Sequence, residues 1–341
     1  MMRQYQLHPS TAGLDLVMVD VAVPEIGPKE VVVKVHAVSL NYRDLLMREG
    51  KSASSAKAGH TVPCSDGAGE VLAIGAEVTC VQVGDRVAGC FFTDWIDGRF
   101  DMRYHQGALG GSASGMLAEQ VVLPEHALVT IPEGMSYQQA ACFPCAGLTA
   151  WYAMVERGGL QEGDSVLLLG TGGVSIFALQ IAAAKGAIVI ITSSSDAKLE
   201  RAKGMGATHG INYKTSQAWE KEVWQLTEKR GVDHVVEVGG PGTLGKSMVA
   251  VAAGGHIALI GVLTGFEAPD ESLFPLVAKN VQFNGIYVGH RTAFERLLAF
   301  AKEKEIEPVI DRVFAYKEAS AAYDHLASGT HFGKIVVQVA E

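Results

Sequence analysis

The second half of the chain alternates apolar strands with helical segments, and this alternation constrains the fold more than any other feature. Strands such as 164–170, 187–193 and 232–240 are apolar along most of their length, not at every second residue. Helical patterns separate them, and some end in glycine, as at Gly186 and Gly206. Because such strands are buried on both faces, the pattern predicts an α/β domain with a parallel sheet covered by helices on both sides.

Six strands at this spacing suit a doubly wound parallel sheet of the Rossmann type, which binds dinucleotides. The predicted strands are 164–170, 187–193, 209–213, 232–240, 256–262 and 281–289. The predicted helices between them are 175–186, 196–206, 216–227 and 244–255.

The loop after the first of these strands reads Gly-Thr-Gly-Gly-Val-Ser from 170 to 175. Glycine suits this place because the turn is tight and the backbone N–H groups at the helix start must approach a pyrophosphate closely. Ser175 stands where the G-x-G-x-x-G pattern has its third glycine, and serine is small enough for helix–strand packing. The residues expected to bind the pyrophosphate are Gly170, Thr171, Gly172, Gly173 and Val174.

The end of the second strand indicates which dinucleotide is bound. NAD sites usually have an acidic residue here that binds the ribose 2′-hydroxyl group. This chain has a threonine and three serines at 192–195, followed by Asp196 and Lys198. Hydroxyl groups beside a cation suit a 2′-phosphate, so we expect NADP(H), bound in part by Ser193, Ser194 and Lys198. Asp196 keeps NAD(H) open as the less favoured alternative, and the serines also suit a helix N-cap.

A second glycine-rich segment, 240–247, matches the P-loop pattern G-x-x-x-x-G-K-[ST] in full. It follows a strand and opens a helix, as a nucleoside triphosphate site would require. Pro241, however, removes one backbone N–H group from the loop. The next strand also ends without a magnesium-binding aspartate. The favoured interpretation is a loop beside the nicotinamide end of a dinucleotide.

The first 130 residues read as mainly β structure. Segments at 30–40, 67–78 and 83–92 are strand-like and separated by glycine and aspartate turns, which suggests a barrel or sandwich. A short helix is expected at 41–49, and the C-terminal tail is expected to return to this domain. The predicted domains are 1–130 with 288–341, and 131–287.

Charge and composition exclude several classes of protein. The 28 basic and 37 acidic residues give a net charge of −9, so the basic face of a general nucleic-acid binder is not expected. No signal peptide is visible and no apolar stretch approaches the roughly 20 residues of a membrane helix. Five cysteines in such a chain indicate a reduced, cytoplasmic protein. Cys142 and Cys145 form a C-x-x-C pair, whose mid-chain position makes a redox role the less favoured alternative.

Over essentially its whole length the chain resembles the medium-chain dehydrogenase/reductase superfamily. The segments that carry the resemblance are Ser-Leu-Asn-Tyr-Arg-Asp at 39–44, Val-Pro-Cys-Ser-Asp-Gly-Ala-Gly-Glu-Val at 62–71, Val-Gly-Asp-Arg-Val-Ala at 83–88, Ala-Gly-Leu-Thr-Ala at 146–150 and the loop at 170–175. The resemblance implies a GroES-like β-barrel catalytic domain and a Rossmann domain. It also implies hydride transfer between a nicotinamide and a small-molecule substrate, in a homodimer or homotetramer.

Zinc-dependent alcohol dehydrogenases of this superfamily hold zinc through Cys, His and Cys, with a nearby Glu. Here Asn41 stands at the first cysteine position and Ser65 at the histidine position, so only Cys145 matches. Because catalytic zinc needs three protein ligands, we expect no metal ion. The chain therefore resembles the zinc-free quinone oxidoreductase branch, of which the segment Asn-Tyr-Arg-Asp at 41–44 is typical.

The catalytic candidates are Asn41, Tyr42 and Asp44. Asn41 and Tyr42 are expected to bind the substrate carbonyl or to place the nicotinamide, and either Tyr42 or solvent supplies a proton. Asp44 is expected to pair with Arg43 and shape the loop. The side chains expected in an apolar substrate pocket, with packing in the core as the alternative, are Phe91, Phe92, Trp95 and Ile96.

The resemblance adds further cofactor contacts to the glycine loop. Thr149 is implied near the nicotinamide, and Tyr213 joins Lys198 at the 2′-phosphate. The residues implied beneath the pyridine ring are Gly239, Gly261, Val262 and Leu263. Arg291 and Lys334 are implied in the closing segment, although Lys334 reads equally well as a solvated strand residue.

Together these features predict an NADPH-dependent, zinc-independent oxidoreductase that transfers hydride to a quinone or an α,β-unsaturated carbonyl. Without a Lewis acid, such a site directs hydride through orientation and hydrogen bonds. Two alternatives stay open: a zinc-dependent alcohol dehydrogenase, suggested by Cys145, and an NADPH-binding protein without catalytic activity.

Overall fold

The computed structural model describes residues 1–11, 13–51 and 60–340, which divide into two compact units. Unit 1 consists of Met1–Leu148 and Gly289–Glu341, and unit 2 consists of Thr149–Val288. The first division therefore lies after Leu148 and not after 130, because the helix at Tyr137–Ala140 packs on two strands of unit 1.

The strands, in chain order, are β1 (Met2–Ser10), β2 (Gly13–Val21), β3 (Glu30–Leu40), β4 (Asp66–Ile74), β5 (Arg86–Gly89), β6 (Gln120–Pro124), β7 (Leu128–Thr130), β8 (Ser165–Leu168), β9 (Ile188–Ser193), β10 (His209–Asn212), β11 (Val232–Glu237), β12 (Val251–Leu259), β13 (Gln282–Gly285), β14 (Ile310–Ala315) and β15 (Lys334–Gln338). The α-helices are α1 (Tyr42–Arg48), α2 (Tyr137–Ala140), α3 (Leu148–Trp151), α4 (Gly173–Ala184), α5 (Asp196–Lys203), α6 (Trp219–Leu226), α7 (Pro241–Ala250), α8 (Phe274–Ala278), α9 (Arg291–Glu303) and α10 (Ala319–Ala327).

Unit 1 is built on β structure, as predicted. Among its described residues, β1 and β2 form an antiparallel pair, and a larger sheet has the order β14-β15-β3-β4-β5-β7, with β6 also paired to β3. The long strand β3 is central, and its valines at alternating positions enter a core that also contains side chains from β15 and α10. Strand β15 pairs antiparallel with β3, so the C-terminal tail returns to the N-terminal unit as expected.

Unit 2 contains a six-stranded parallel sheet with the order β10-β9-β8-β11-β12-β13. In sequence order within the unit this is 3-2-1-4-5-6, the doubly wound order of a Rossmann sheet. The predicted α/β fold class is thereby confirmed. Strands β8, β9 and β11 are almost completely buried because helices cover both faces, which explains why most of their residues are apolar.

Two predicted helices differ from the structure. The helix predicted at 244–255 ends at Ala250, and β12 begins at Val251, because Val251 pairs with Val232 of β11. The helical pattern at 136–157 is divided among α2, α3 and two π-helical turns, at Phe143–Gly147 and Tyr152–Arg157. Among the described residues, none of the helices combines the length and apolar character that crossing a membrane requires.

Candidate functional site

The carboxyl edge of the unit 2 sheet collects most of the predicted cofactor residues. The order of the strands reverses between β8 and β11, and ligands of doubly wound sheets bind at such a switch point. Because the strands are parallel, the segments that follow them lie at one edge. The predicted residues in these segments are Gly170–Val174 after β8, Ser194 after β9, Tyr213 after β10, Gly239 after β11 and Gly261–Leu263 after β12. Thr149 lies instead in α3, where it is buried.

The glycine loop has the geometry that a pyrophosphate requires. Gly170 has φ of +74°, and its N–H group donates to Thr192 Oγ1 at 3.1 Å. A Cβ atom added to Gly170 or Gly172 would meet no atom within 4 Å. Gly172 is the N-cap of α4 and offers no side-chain acceptor to the first N–H groups of that helix. Open space in front of an uncapped helix N-terminus fits an anionic group.

Ser175, at the position of the third glycine, packs between α4 and β8. Its side chain is 2% exposed, and Oγ donates a hydrogen bond to Leu169 O at 2.7 Å. The hydroxyl therefore ties the first turn of α4 to the end of β8. A small side chain at this place maintains the close helix–strand packing that glycine provides in the usual pattern.

The segment after β9 serves as a helix cap. Ser195 N donates to Ser193 Oγ at 3.3 Å, and Lys198 N donates to Ser195 Oγ at 3.4 Å. Asp196 accepts a hydrogen bond from Asn212 Nδ2 at 2.7 Å, which engages one of its carboxylate oxygens. Ser193 is buried, whereas Ser194 and Lys198 are partly exposed. Of the predicted 2′-phosphate contacts, Tyr213 is the most exposed, at 42%.

The P-loop-like segment is occupied by a carboxylate of the protein itself. Glu237 is fully buried at the end of β11. Its side chain accepts hydrogen bonds from the N–H groups of Gly239 (2.8 Å) and Gly240 (3.0 Å), from Thr243 Oγ1 (2.6 Å) and from Ser247 Oγ. The Gly240 N–H group and the Ser247 hydroxyl belong to the P-loop-like segment, where a P-loop uses such groups for phosphate and Mg²⁺, so their contacts with Glu237 argue against a nucleoside triphosphate site.

The lysine of that segment is also engaged elsewhere, because Lys246 Nζ donates to Gln217 O at 2.5 Å. Sequence reasoning missed the role of Glu237. The available signal was an acidic residue at the end of a strand, just before the glycine-rich segment.

In unit 1, Asn41 stands between β3 and α1 as the N-cap of the helix. Its backbone N–H donates to Asp44 Oδ2 at 2.8 Å, which makes Asp44 part of the cap. Asp44 is 1% exposed, and burial raises the pKa of its carboxyl to about 6 despite the opposing charge of Arg43. Tyr42 begins the helix with its side chain 40% exposed. Thus Asp44 stabilises the start of α1, whereas the Tyr42 side chain is accessible to solvent.

The Arg43 side chain contacts the aromatic region of unit 1. Its Nη1 donates to Leu109 O at 2.8 Å, and its guanidinium lies 4.7 Å from the ring centre of Phe91. The backbone N–H group of Arg291 donates to Trp95 O at 3.0 Å. The Arg291 side chain pairs through Nε with Glu295 at 3.0 Å, one helical turn away.

Among the described residues of unit 1, Lys334 is one of the few buried charged side chains, at 3% exposure. Its Nζ donates to Leu40 O at 2.6 Å and to Asn41 Oδ1 at 2.5 Å, and lies 4.0 Å from Asp66 Oδ2. The alternative of a solvated strand residue is therefore wrong: the ammonium group is enclosed because β15 pairs with β3 in the middle of the unit.

Asp66 completes this buried polar group, which we call the Lys334 cluster (Asn41, Ser65, Asp66 and Lys334). Asp66 Oδ1 accepts from Ser65 Oγ at 2.7 Å, and Oδ2 accepts from Cys145 N at 3.1 Å. Burial raises the pKa of Asp66, while the Lys334 charge opposes the rise. Sequence reasoning did not identify Asp66 as a partner of Lys334.

The residues at the zinc-ligand positions do not fit a zinc ion. Asn41 and Ser65 are poor ligands, and burial raises the pKa of the Cys145 thiol, whereas zinc binds the thiolate. The Lys334 ammonium already compensates the Asp66 carboxylate. In the described ranges, no three or more His, Cys, Asp or Glu side chains are grouped to hold a metal ion. The expectation of a metal-free site stays a prediction, supported by this donor chemistry.

The C-x-x-C pair also lacks the features of a redox site. Both thiols are free, and Cys142 donates to Gln138 O at 3.2 Å. Burial raises the pKa of Cys142 to about 12, whereas reactive thiols have lowered pKa values.

The expected substrate pocket needs correction. Phe91, Phe92 and Trp95 are at most 2% exposed. They belong to a packed aromatic group in which Phe92 and Trp95 each contact the ring of Phe100, with centroids 5.4 and 4.9 Å apart. These three side chains form core because their rings enclose one another. Of the four, only Ile96 is substantially exposed, at 36%.

Comparison with known proteins adds to this geometry. Two family models match: Alcohol dehydrogenase GroES-like domain at residues 27–133 and Zinc-binding dehydrogenase at residues 173–303. A zinc-type alcohol dehydrogenase-like protein of Schizosaccharomyces pombe is 40% identical over 98% of this chain and 99% of its own length. A quinone oxidoreductase of Pseudomonas aeruginosa is 32% identical, with 92% of each chain covered. The crystal structure of a putative alcohol dehydrogenase from Sinorhizobium meliloti 1021 superimposes with a TM-score of 0.92 at 43% identity, covering 99% of both chains.

Proposed function

Since this chain belongs to the medium-chain dehydrogenase/reductase superfamily, and is thus an oxidoreductase of a family that binds a nicotinamide cofactor, we propose that it uses NADPH to reduce a quinone or an α,β-unsaturated carbonyl without a metal ion. One observation carries the proposal: Asn41 and Ser65, at two of the positions where the resemblance places zinc ligands, belong instead to the Lys334 cluster, in which an ammonium group lies beside the Asn41 amide and the Asp66 carboxylate. The similarity to a quinone oxidoreductase supports the same substrate class.

The substrate class follows from the chemistry that a metal-free site can perform. An unconjugated ketone is a weaker hydride acceptor, and its reduction depends on a metal ion or a strong proton donor at the carbonyl oxygen. A conjugated carbonyl or quinone accepts hydride more readily and leaves a stabilised anion. The protein then needs to orient the partners and donate hydrogen bonds to the oxygen.

The chain offers a group for each task. A bound nicotinamide supplies the hydride. The backbone of Gly170–Val174 binds its pyrophosphate, and the Asn41 amide donates to the substrate oxygen. The exposed Tyr42 hydroxyl or solvent protonates the product. Ile96 contributes an apolar side chain to the substrate site.

The test is a substrate panel with NADPH, comparing quinones and enals with simple alcohols, ketones and aldehydes. We expect NADPH oxidation with the conjugated compounds and at most slow turnover with the others. Turnover restricted to simple alcohols and aldehydes would favour an alcohol dehydrogenase instead. Tight NADPH binding with no turnover on the whole panel would favour a binding protein.

If the protein prefers NADPH, the substitution Ser194→Asp should weaken the binding of NADPH more than that of NADH. A carboxylate at this partly exposed place would repel a 2′-phosphate, so we expect NADPH affinity to fall about tenfold while NADH affinity changes little. Calorimetric titration with each cofactor measures the difference, and NADH serves as the internal control. Equal affinities of the wild type for both cofactors, or equal losses in the variant, would contradict the preference.

We include self-association in the proposal because unit 2 exposes apolar side chains beside an edge strand. Strand β13 ends the parallel sheet, with Phe283 37% exposed. In α8, Phe274 is 68% and Val277 is 73% exposed. Exposed apolar patches and open sheet edges are typical of subunit interfaces.

Val277→Asp is therefore expected to shift the protein from dimer or tetramer towards monomer. Light scattering during size-exclusion chromatography measures the mass. Val83→Asp, which changes a valine of similar exposure in unit 1, is the matched control and should leave the mass unchanged. A wild type that is monomeric at all concentrations would contradict the expectation.

A further inference from the structure

We propose that Lys334 is a positioning residue, which fixes the Asn41 carboxamide so that its NH₂ group donates to the substrate carbonyl oxygen. This inference rests on the proposed function and deepens it. It replaces the cofactor contact that the sequence suggested for Lys334.

The orientation of the Asn41 amide follows from the chemistry of its partner. An ammonium group has three donors and no acceptor. The atom of Asn41 that lies 2.5 Å from Lys334 Nζ must therefore be Oδ1, and the alternative amide flip would place two donors against each other. The second bond of Nζ, to Leu40 O, fixes the ammonium beside the end of β3.

The backbone keeps these groups in register. Ile335 of β15 is paired with Leu40 of β3, so Lys334 and Asn41 are neighbours across the end of an antiparallel ladder. Asp66 balances the ammonium charge from 4.0 Å and is itself held by Ser65 Oγ and Cys145 N. The amide thus stands on a rigid support, as preorganised hydrogen-bond donors require.

The amide nitrogen is the group left for a ligand. Asn41 is 9% exposed, and Nδ2 has no hydrogen-bond partner among the described residues. The amide helps to hold down the pKa of Asp66, but Nδ2 carries two hydrogens, so one remains even when the other faces that carboxylate. A buried donor without an acceptor is costly, which favours a ligand oxygen at this place.

The test is a double-mutant cycle in which the buried charges are removed together. Lys334→Met alone would leave Asp66 as an unpaired buried carboxylate and endanger folding. We therefore combine it with Asp66→Asn, and measure this pair of changes with Asn41 present and with Asn41→Ala. The single variant Asp66→Asn shows what the Asp66 carboxylate contributes to kcat/KM by itself.

With Asn41 present, the paired change is expected to lower kcat/KM for a quinone about tenfold, mainly through kcat, because a misoriented amide stabilises the developing negative charge less well. In the Asn41→Ala background the same change should cost less than twofold, since no amide remains to be positioned. The dissociation constant of NADPH should stay unchanged throughout.

Equal losses in both backgrounds would overturn the inference. A weakened NADPH affinity in the Lys334→Met variants would overturn it as well, and would restore Lys334 to the cofactor site. Calorimetry measures quinone binding to the NADP⁺-loaded protein, in which no hydride is available. This measurement distinguishes failure of the proposed function from failure of the role of Lys334. A wild type that neither binds nor reduces any quinone or enal overturns both the proposed function and this inference. If the wild type is active but the losses in the variants are additive, only the role of Lys334 is overturned.

Discussion

Replacing Gly261 by alanine is expected to lower the free energy of unfolding of unit 2 by about 3 kcal/mol or more. A Cβ atom at this position would lie 1.7 Å from Val238 O and 2.4 Å from Val238 C. These are backbone atoms, so no side-chain rotation relieves the clash. The N–H group of Gly261 also donates to Glu237 O, and Glu237 in turn holds the loop after β11. The substitution therefore disturbs two strand ends at once.

Chemical denaturation followed by circular dichroism measures this loss. Gly285→Ala is the matched control, because Gly285 lies in β13 of the same sheet and an added Cβ meets no atom within 4 Å. We expect the control to change the unfolding free energy by less than about 1 kcal/mol. A Gly261→Ala protein as stable as the control would show that the close approach of these two segments is not required.

Gly172→Ala is expected to weaken NADPH binding at least tenfold, about 1.4 kcal/mol, while leaving the fold intact. An added Cβ at Gly172 touches nothing in the protein, and its φ of −81° is accessible to any residue. The same methyl group would stand in the open space where the backbone must approach the pyrophosphate. A substitution at Gly172 is therefore expected to change the affinity for NADPH without changing the stability of the fold.

Calorimetric titration with NADPH measures the affinity, and thermal unfolding without cofactor measures the stability. Gly285→Ala again serves as the control and should bind NADPH as the wild type does. Unchanged affinity in Gly172→Ala would mean that the cofactor does not meet the loop at the start of α4.

The fold was predictable to the extent that it depends on local patterns. Each of the strands β8, β9 and β11, like the glycine loop, is a continuous stretch of sequence that can be recognised by itself. The alternation of such strands with helices along the chain implies a doubly wound sheet. The boundary between α7 and β12 was not predictable, since Ala250 and Val251 suit either element locally. Pairing of Val251 with Val232, a distant residue, decides the outcome.

The site was predictable in the same uneven way. The loop at 170–174 follows from a short motif in which glycine has a stated role, namely to permit a tight turn and a close approach of the backbone to a pyrophosphate. The contact of Lys334 with Asn41 joins residues at opposite ends of the chain, and only the pairing of β15 with β3 brings them together.

The aromatic residues illustrate the opposite error. Phe91, Phe92 and Trp95 have the composition of a ligand pocket, but their rings pack on one another and on Phe100. Composition cannot distinguish an apolar wall that faces a ligand from one that faces its neighbours.

The most direct test of the central claim is NADPH oxidation with phenanthrenequinone by protein whose metal content has been determined by elemental analysis. We predict steady turnover by metal-free protein, unchanged by prior treatment with a chelator and unchanged by added zinc. Turnover that is lost with the chelator and restored by zinc, or absence of any NADPH oxidation with quinones and enals, would contradict a metal-free hydride transfer supported by Asn41 and Lys334.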